Sequence, residues 1–200
     1  METTSPMKPR YLLPPLLLWA LLQSPTAMAT EVAGIHFDET VRIAEAPLLL
    51  NGAGVRYMAF FKVMAAGLYL SKKSTTPDGA YAAPGPKRMQ MVMLVDMDAK
   101  KFSKEFIKGF TNNVGKTPMS RLIPGLTRMG TLIDGHGRFV RGDTITVDWI
   151  PATGAVISIN GVAQGEPFKE QGFFDTLLTN WIGPTPVDWK LKDALLGQAS

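Results

Sequence analysis

The sequence predicts an α+β domain in which a large antiparallel sheet is packed on one face by helices. Three observations predict it. Between Gly34 and Leu94, short alternating or wholly apolar runs follow one another, divided by turn residues, which is the period-two pattern of strands. From Asp98 to Ile133 the apolar residues recur at helical spacing instead, and after Gly135 a strand meander returns before two closing amphipathic segments. Strands first, helices in the middle, a meander and then helices is the order of an α+β chain rather than of repeated strand-helix-strand units.

The strands read as Gly34 to Phe37, Thr40 to Ile43, Ala46 to Leu50, Val55 to Phe61 and Val63 to Leu70. Lys87 to Leu94 follows, after a Pro/Gly-rich loop from Thr76 to Pro86. Asp98 is a good N-cap for a helix whose Phe102, Phe106, Ile107 and Phe110 share a face and whose Lys104, Glu105 and Lys108 take the wet side, ending near Asn112 and Asn113. Pro118 to Ile133 is helical in pattern, but Pro124-Gly125 predicts two short helices in place of one. Ile145, Val147 and Trp149 alternate with polar neighbours, Pro151 to Gly154 turns the chain into Ala155 to Ile159, and Asn160-Gly161 is a two-residue hairpin turn signal. The closing segments are a helix from Pro167 to Trp181, stopped at Gly183-Pro184, and a shorter one from Val187 to Leu196.

Ahead of this domain, residues 1–29 read as a cleavable signal peptide. Lys8 and Arg10 form a positive start, Leu12 to Leu22 an apolar stretch, and Ala27-Met28-Ala29 a small-x-small cleavage site. The apolar stretch is interrupted by Pro14 and Pro15 and falls short of the ~20 residues that span a bilayer. Residues 30–200 are then one exported, periplasmic domain with no transmembrane segment. The chain has no cysteine, which rules out a disulfide staple, a thiolate metal site and a cysteine nucleophile. A formal net charge of +4 with scattered basic residues argues against nucleic acid. His36 and His136 lack metal spacing, and no serine sits in a Gly-x-Ser-x-Gly context, so neither a metal, a cofactor nor a serine hydrolase is called for.

The residue that asks for a function is Arg56. It lies in LNGAGVRYMAFFKVMAAGLYL, on the parity of Met58 and Phe60 within an otherwise apolar strand. A guanidinium there cannot lose its charge, so it reaches water, pairs with a carboxylate of its own chain, or meets an anionic ligand.

That block, with Gly54-Val55-Arg56 and Gly67-Leu68-Tyr69-Leu70, the RGDTITVDWIPATGAVISING meander and the FFDTLLTNWIGPTPVDWKLKDALLG ending, resembles the bacterial, exported branch of the chalcone isomerase-like family over residues 34–197. The resemblance implies an open-faced β-sandwich, a large antiparallel sheet backed by helices that enclose an apolar cleft. It also implies one of several functions: flavonoid isomerase, non-catalytic relative, or fatty-acid-binding protein. The family's cleft arginine falls on Arg56, which in the isomerases holds the substrate phenolate and in the fatty-acid-binding branch the carboxylate. The polar residue on the next strand falls on Met64 and the active-site tyrosine on Phe106. The asparagine seven residues further on falls on Asn113, and the specificity residue and its neighbour fall on Asn180 and Trp181.

The chain therefore keeps the arginine but replaces two hydroxyl-bearing residues by Met64 and Phe106, which suits a hydrocarbon tail better than chalcone cyclisation. The expected function is non-catalytic binding of a fatty acid or similar amphiphilic carboxylate by Arg56, Met64, Phe106, Asn113, Asn180 and Trp181. Two alternatives stay open: an accessory protein with a vestigial cleft and a protein partner, and an isomerase. Plainer readings stand beside the site residues as well, with Phe102, Phe106 and Phe110 as helix-to-sheet core and Asn113 as a helix C-cap. Trp149, Trp181 and Trp189 read as core aromatics, Trp181 being the best candidate for a cleft wall.

Overall fold

The computed structural model describes Met1 and residues 29–113, 119–170 and 172–198. The expected signal peptide, apart from Met1 and Ala29, lies outside the described residues, as do Pro118 and the other residues of 114–118.

Among the described residues, a seven-stranded antiparallel sheet carries the fold. Its strands are β3 (Thr40–Ile43), β4 (Ala46–Met58), β5 (Phe61–Leu70), β6 (Lys87–Met93), β9 (Thr144–Ile150), β10 (Gly154–Ile159) and β11 (Val162–Ala163), in the spatial order β11-β10-β9-β6-β5-β4-β3. Alternation gives the sheet two faces. Met64, Leu68, Met89, Met91, Ile145, Val147, Ile157 and Ile159 point to one face and form the main core with four helices. These are α2 (Ala99–Asn112), α3 (Met119–Gly135), α4 (Phe173–Ile182) and α5 (Trp189–Leu195). On the other face a ribbon of β1 (Ala29–Val32) and β2 (Ile35–Asp38) covers only the β3–β5 end, where Phe37 packs with Leu48, Leu50, Ala65 and Tyr69. The rest of that face carries the polar side chains Arg88, Gln90, Thr144, Thr146 and Asp148, so the sandwich is open on one side.

Several element ends follow from local chemistry. The Asp98 carboxylate accepts from the Lys101 N–H at 3.0 Å and starts α2. Asn160 and Gly161 both have positive φ, 50° and 79°, as a two-residue hairpin between β10 and β11 requires. A second short ribbon pairs β7 (Met97–Asp98) with β8 (Arg138–Phe139) at the foot of α2.

In four places the structure departs from the local reading, three of them through tertiary packing. Asn51 to Gly54 does not interrupt the sheet: β4 runs unbroken for 13 residues, with irregularities at Leu50/Gly52 and Arg56/Tyr57, and the hairpin turns at Ala59-Phe60. The glycines are there because α5 lies on the β4 backbone. A Cβ on Gly52 would collide with the Ala194 carbonyl, and one on Gly54 would stand 2.6 Å from the Ala194 Cβ. Pro124 does not split α3, since Leu122, Leu126, Met129 and Ile133 are buried on one continuous face across it and Gly125 lets the helix press on Phe173. Residues 77–82 form a short helix, α1 (Pro77–Ala82), capped by the Thr76 hydroxyl with Pro77 in its first turn, where the missing N–H has no helical partner to lose. The stretch before Phe173 is extended rather than helical: Phe168 exchanges two backbone hydrogen bonds with Ala155, 2.7 and 2.8 Å long, so α4 begins only at Phe173.

Candidate functional site

Arg56 stands on the helix-covered face of β4, opposite Met64 of β5, which in turn pairs with Met93 of β6. Facing it are α2, α4 and the segment that leads into α5. A small cavity of about 10 Å³ lies between them, walled by Arg56, Met64 and Met91 from the sheet, Phe102 and Phe106 from α2, and Asn180, Trp181 and Val187 from the far side. The aromatic wall is continuous. Phe106 meets Trp181 edge-on at 5.3 Å between ring centroids and stacks near Phe102 at 6.0 Å. On its other side Arg56 borders an open groove of about 160 Å³ with Glu105, Lys108, Asn112 and Val187. The guanidinium is thus the partition between an apolar interior and a polar groove.

The electrostatics of Arg56 remove one of the three fates open to it in the sequence, the pairing with a carboxylate of its own chain. Its Nε is buried without a hydrogen-bond partner, and no ion pair reaches it among the described residues. Burial pulls its pKa below the ordinary arginine value, while the charges of Glu105 and Asp188 push it back up. Neither carboxylate closes on it. Asp188 is committed elsewhere: Oδ1 accepts from the N–H groups of Lys190 and Leu191 at 2.9 and 3.2 Å, capping α5, and Oδ2 accepts from the Tyr57 N–H at 2.8 Å. Tyr57 follows the irregularity after Arg56, so one aspartate ties the start of α5 to the strand beside the arginine.

Asn180 supplies the second unpartnered polar atom. Its Nδ2 donates to the Phe106 carbonyl at 3.2 Å, which fixes the amide orientation and leaves Oδ1 buried with no donor. Two residues that line one apolar cavity therefore each carry an unpartnered buried polar atom, a donor on Arg56 and an acceptor on Asn180. Such atoms cost stability where nothing binds them and mark sites where a ligand does.

The structure brings together five of the six residues expected in the site: Arg56, Met64, Phe106, Asn180 and Trp181. Asn113 stands apart from them and takes the C-cap role that the sequence also allowed. It is the C-cap residue of α2, with Nδ2 donating to the carbonyls of Gly109 (2.9 Å) and Thr185 (2.7 Å) and Oδ1 accepting from the Thr185 N–H (2.9 Å). Its two bonds to Thr185 clamp α2 to the loop after α4, and it lines neither the cavity nor the groove. Trp149 and Trp189 also lie outside the cavity. Sequence reasoning missed Met91, Val187, Glu105 and Lys108. Glu105 was within reach, since Arg56 faces α2 and Glu105 precedes Phe106, but nothing local marks Val187.

A sequence profile of the chalcone isomerase-like family matches residues 29–197. Among curated proteins there is no match. Among solved structures, the crystal structure of an Arabidopsis thaliana fatty-acid binding protein superposes with a TM-score of 0.63, at 17% sequence identity, over 86% of this chain and 94% of that one. At that identity the likeness concerns the fold, and it is the fold derived above: a large antiparallel sheet with helices on one face. With the profile spanning nearly all of the described chain, this protein belongs to the chalcone isomerase-like family.

Proposed function

We propose that this protein binds a fatty acid or a similar amphiphilic carboxylate, without catalysing a reaction, and that it does so in the periplasm after loss of residues 1–29. The observation that carries the reading is Arg56: a cation whose buried Nε has no partner, set at the boundary between a polar groove and an apolar interior. A carboxylate approaching from the groove side meets Arg56 with Lys108 close by, and a charge-assisted hydrogen bond to it is worth roughly 1.5–3 kcal/mol. The tail would follow the wall of Met64, Met91, Phe102, Phe106 and Trp181. The fatty-acid binding protein of like fold supports this choice of ligand class.

A tail cannot enter the cavity at its present size of about 10 Å³, which is about the room of one water. Met64 and Met91 supply the adaptable side chains, and Phe106 and Trp181 must move apart. The same small volume favours the second reading, an accessory protein whose cleft is vestigial. Fatty-acid titration of the wild type and of Arg56→Met separates the two. Saturable binding that weakens about tenfold or more in Arg56→Met is the expected result. No saturable binding by the wild type, together with acyl-free protein in native mass spectra of material from its own host, would leave the accessory reading. For catalysis, chalcone cyclisation should exceed the spontaneous rate by no more than about tenfold, far below the ~10⁶-fold or more of enzymes.

A further inference from the structure

The β4–β5 hairpin tip and the start of α5 form a corner that the ligand cavity does not use. Tyr57, Phe60 and Phe61 of the hairpin and Trp189 of α5 are 37%, 81%, 62% and 60% exposed. Tyr57, Phe60 and Trp189 border one groove, and Phe61, whose ring lies 4.7 Å from that of Phe60, borders a second. Isolated exposed apolar residues need no explanation, but four aromatic side chains from two elements converging on one corner do.

The corner carries Lys62, Lys101, Lys190 and Arg138 against Asp96, Asp98 and Asp188, and the two signs differ in how they are held. Its carboxylates are engaged. Asp188 accepts from three backbone N–H groups, Asp98 caps α2, and Asp96 accepts from the Arg138 guanidinium at 3.0 Å and the Arg141 N–H at 2.9 Å. The lysines are not. Lys62, Lys101 and Lys190 are exposed, and their ammonium groups make no hydrogen bond or ion pair among the described residues. Exposed aromatic rings with free lysines beside them are complementary to a surface that is apolar beneath an anionic layer.

We propose that this corner docks the protein on an anionic lipid surface, with Phe60 and Phe61 entering the interface and Lys62, Lys101 and Lys190 meeting the headgroups. Protruding Phe rings reach such a surface with little rearrangement, and the exposed positions leave the core untouched. If the ligand reading above holds, docking also has a purpose: Tyr57 follows Arg56 and Trp189 follows Val187 by two residues, so the docked corner sets the groove of Arg56 next to the lipid from which an amphiphilic carboxylate would come.

The test is co-sedimentation of the protein, beginning at Thr30, with vesicles of equal parts phosphatidylglycerol and phosphatidylcholine or of phosphatidylcholine alone, without added fatty acid. The expected result is binding to the anionic vesicles that salt weakens. Phe60→Ser with Phe61→Ser should lower it by about tenfold or more, and Lys62→Glu, Lys101→Glu and Lys190→Glu together should remove the preference for anionic lipid, all with unchanged melting temperature. Protein that stays in the supernatant with both vesicles overturns the proposal, and so does a wild-type dimer that Phe60→Ser converts to monomer while vesicle binding is absent, which assigns the corner to a second copy of the chain. Because no fatty acid is present, failure here leaves the Arg56 reading standing, and a failed fatty-acid titration leaves the vesicle result standing.

Discussion

Arg88 and Arg56 sit two strands apart on one sheet and live under opposite terms. Arg88 of β6 faces Asp148 of β9 directly across the ladder on the open face, and its Nε and Nη2 donate to the two carboxylate oxygens at 2.6 Å each. Arg56 of β4 points to the covered face, where Glu105 and Asp188 are near enough to act on its charge but neither bonds to it. The comparison shows what a scaffold arginine looks like in this fold: its partner is in register, the fork is bidentate, and desolvation is offset on the spot. Arg56 has none of these, although its surroundings are the more apolar, and that imbalance points away from a structural role.

The contrast can be broken by stability measurements. Arg88→Met should lower the unfolding free energy by about 2–3 kcal/mol, less than the ~3–5 expected for a fully buried pair because both side chains keep some solvent. Urea unfolding would show it as a lower midpoint at constant slope. If Arg56→Met cost as much, both arginines would belong to the scaffold.

Gly54→Ala tests how Arg56 is held. The new methyl would meet the Ala194 Cβ at 2.6 Å, so α5 must shift or the strand must bend, at about 1–3 kcal/mol. Since the start of α5 carries Asp188 and follows Val187, the fatty-acid titration should weaken along with the melting temperature. A lower melting temperature with unchanged affinity would detach the site from the helix.

Arg56→Met itself should leave stability within about 0.5 kcal/mol of wild type, since it removes an unpaired charge from an apolar wall. Parallel thermal melts of wild type and variant check this.

The smallest effect is alkaline. Tyr69, next to Arg88 in the ladder and 1% exposed, has its hydroxyl pushed up to about 12 from 10.0, chiefly by burial and partly by the charges of Asp38 and Glu39, with Arg88 pulling the other way. A raised folded value means the unfolded chain releases the proton first. The contribution is therefore whole below pH 10 and is lost as pH rises through about 12. Tyr69→Phe should flatten the fall in melting temperature across that window. Arg88→Met should move the Tyr69 titration higher still, because the cation that favours the phenolate is gone.

Much of this was legible in the residues. The alternation of β9 and β10, the Asp98 cap, the Asn160-Gly161 turn and the face on which Arg56 lies all rest on forces that act over a few positions: pleat, capping hydrogen bonds and allowed φ. The order of the elements followed from the same patterns, and the family resemblance supplied five residues that do meet around one cavity. What only the tertiary structure decided involves partners far away in the chain. Gly52 and Gly54 look like a break until α5 is laid on them, Pro124 looks like a stop until a buried face runs across it, and Asn113 looks like a ligand contact until the Thr185 backbone takes both ends of its amide. Above all, the sequence places Arg56 among apolar neighbours but cannot say whether a carboxylate reaches it. That depends on Asp188, 132 positions away, whose oxygens already accept from the α5 and β4 backbone, and such competition among donors for one carboxylate exists only once the chain has folded.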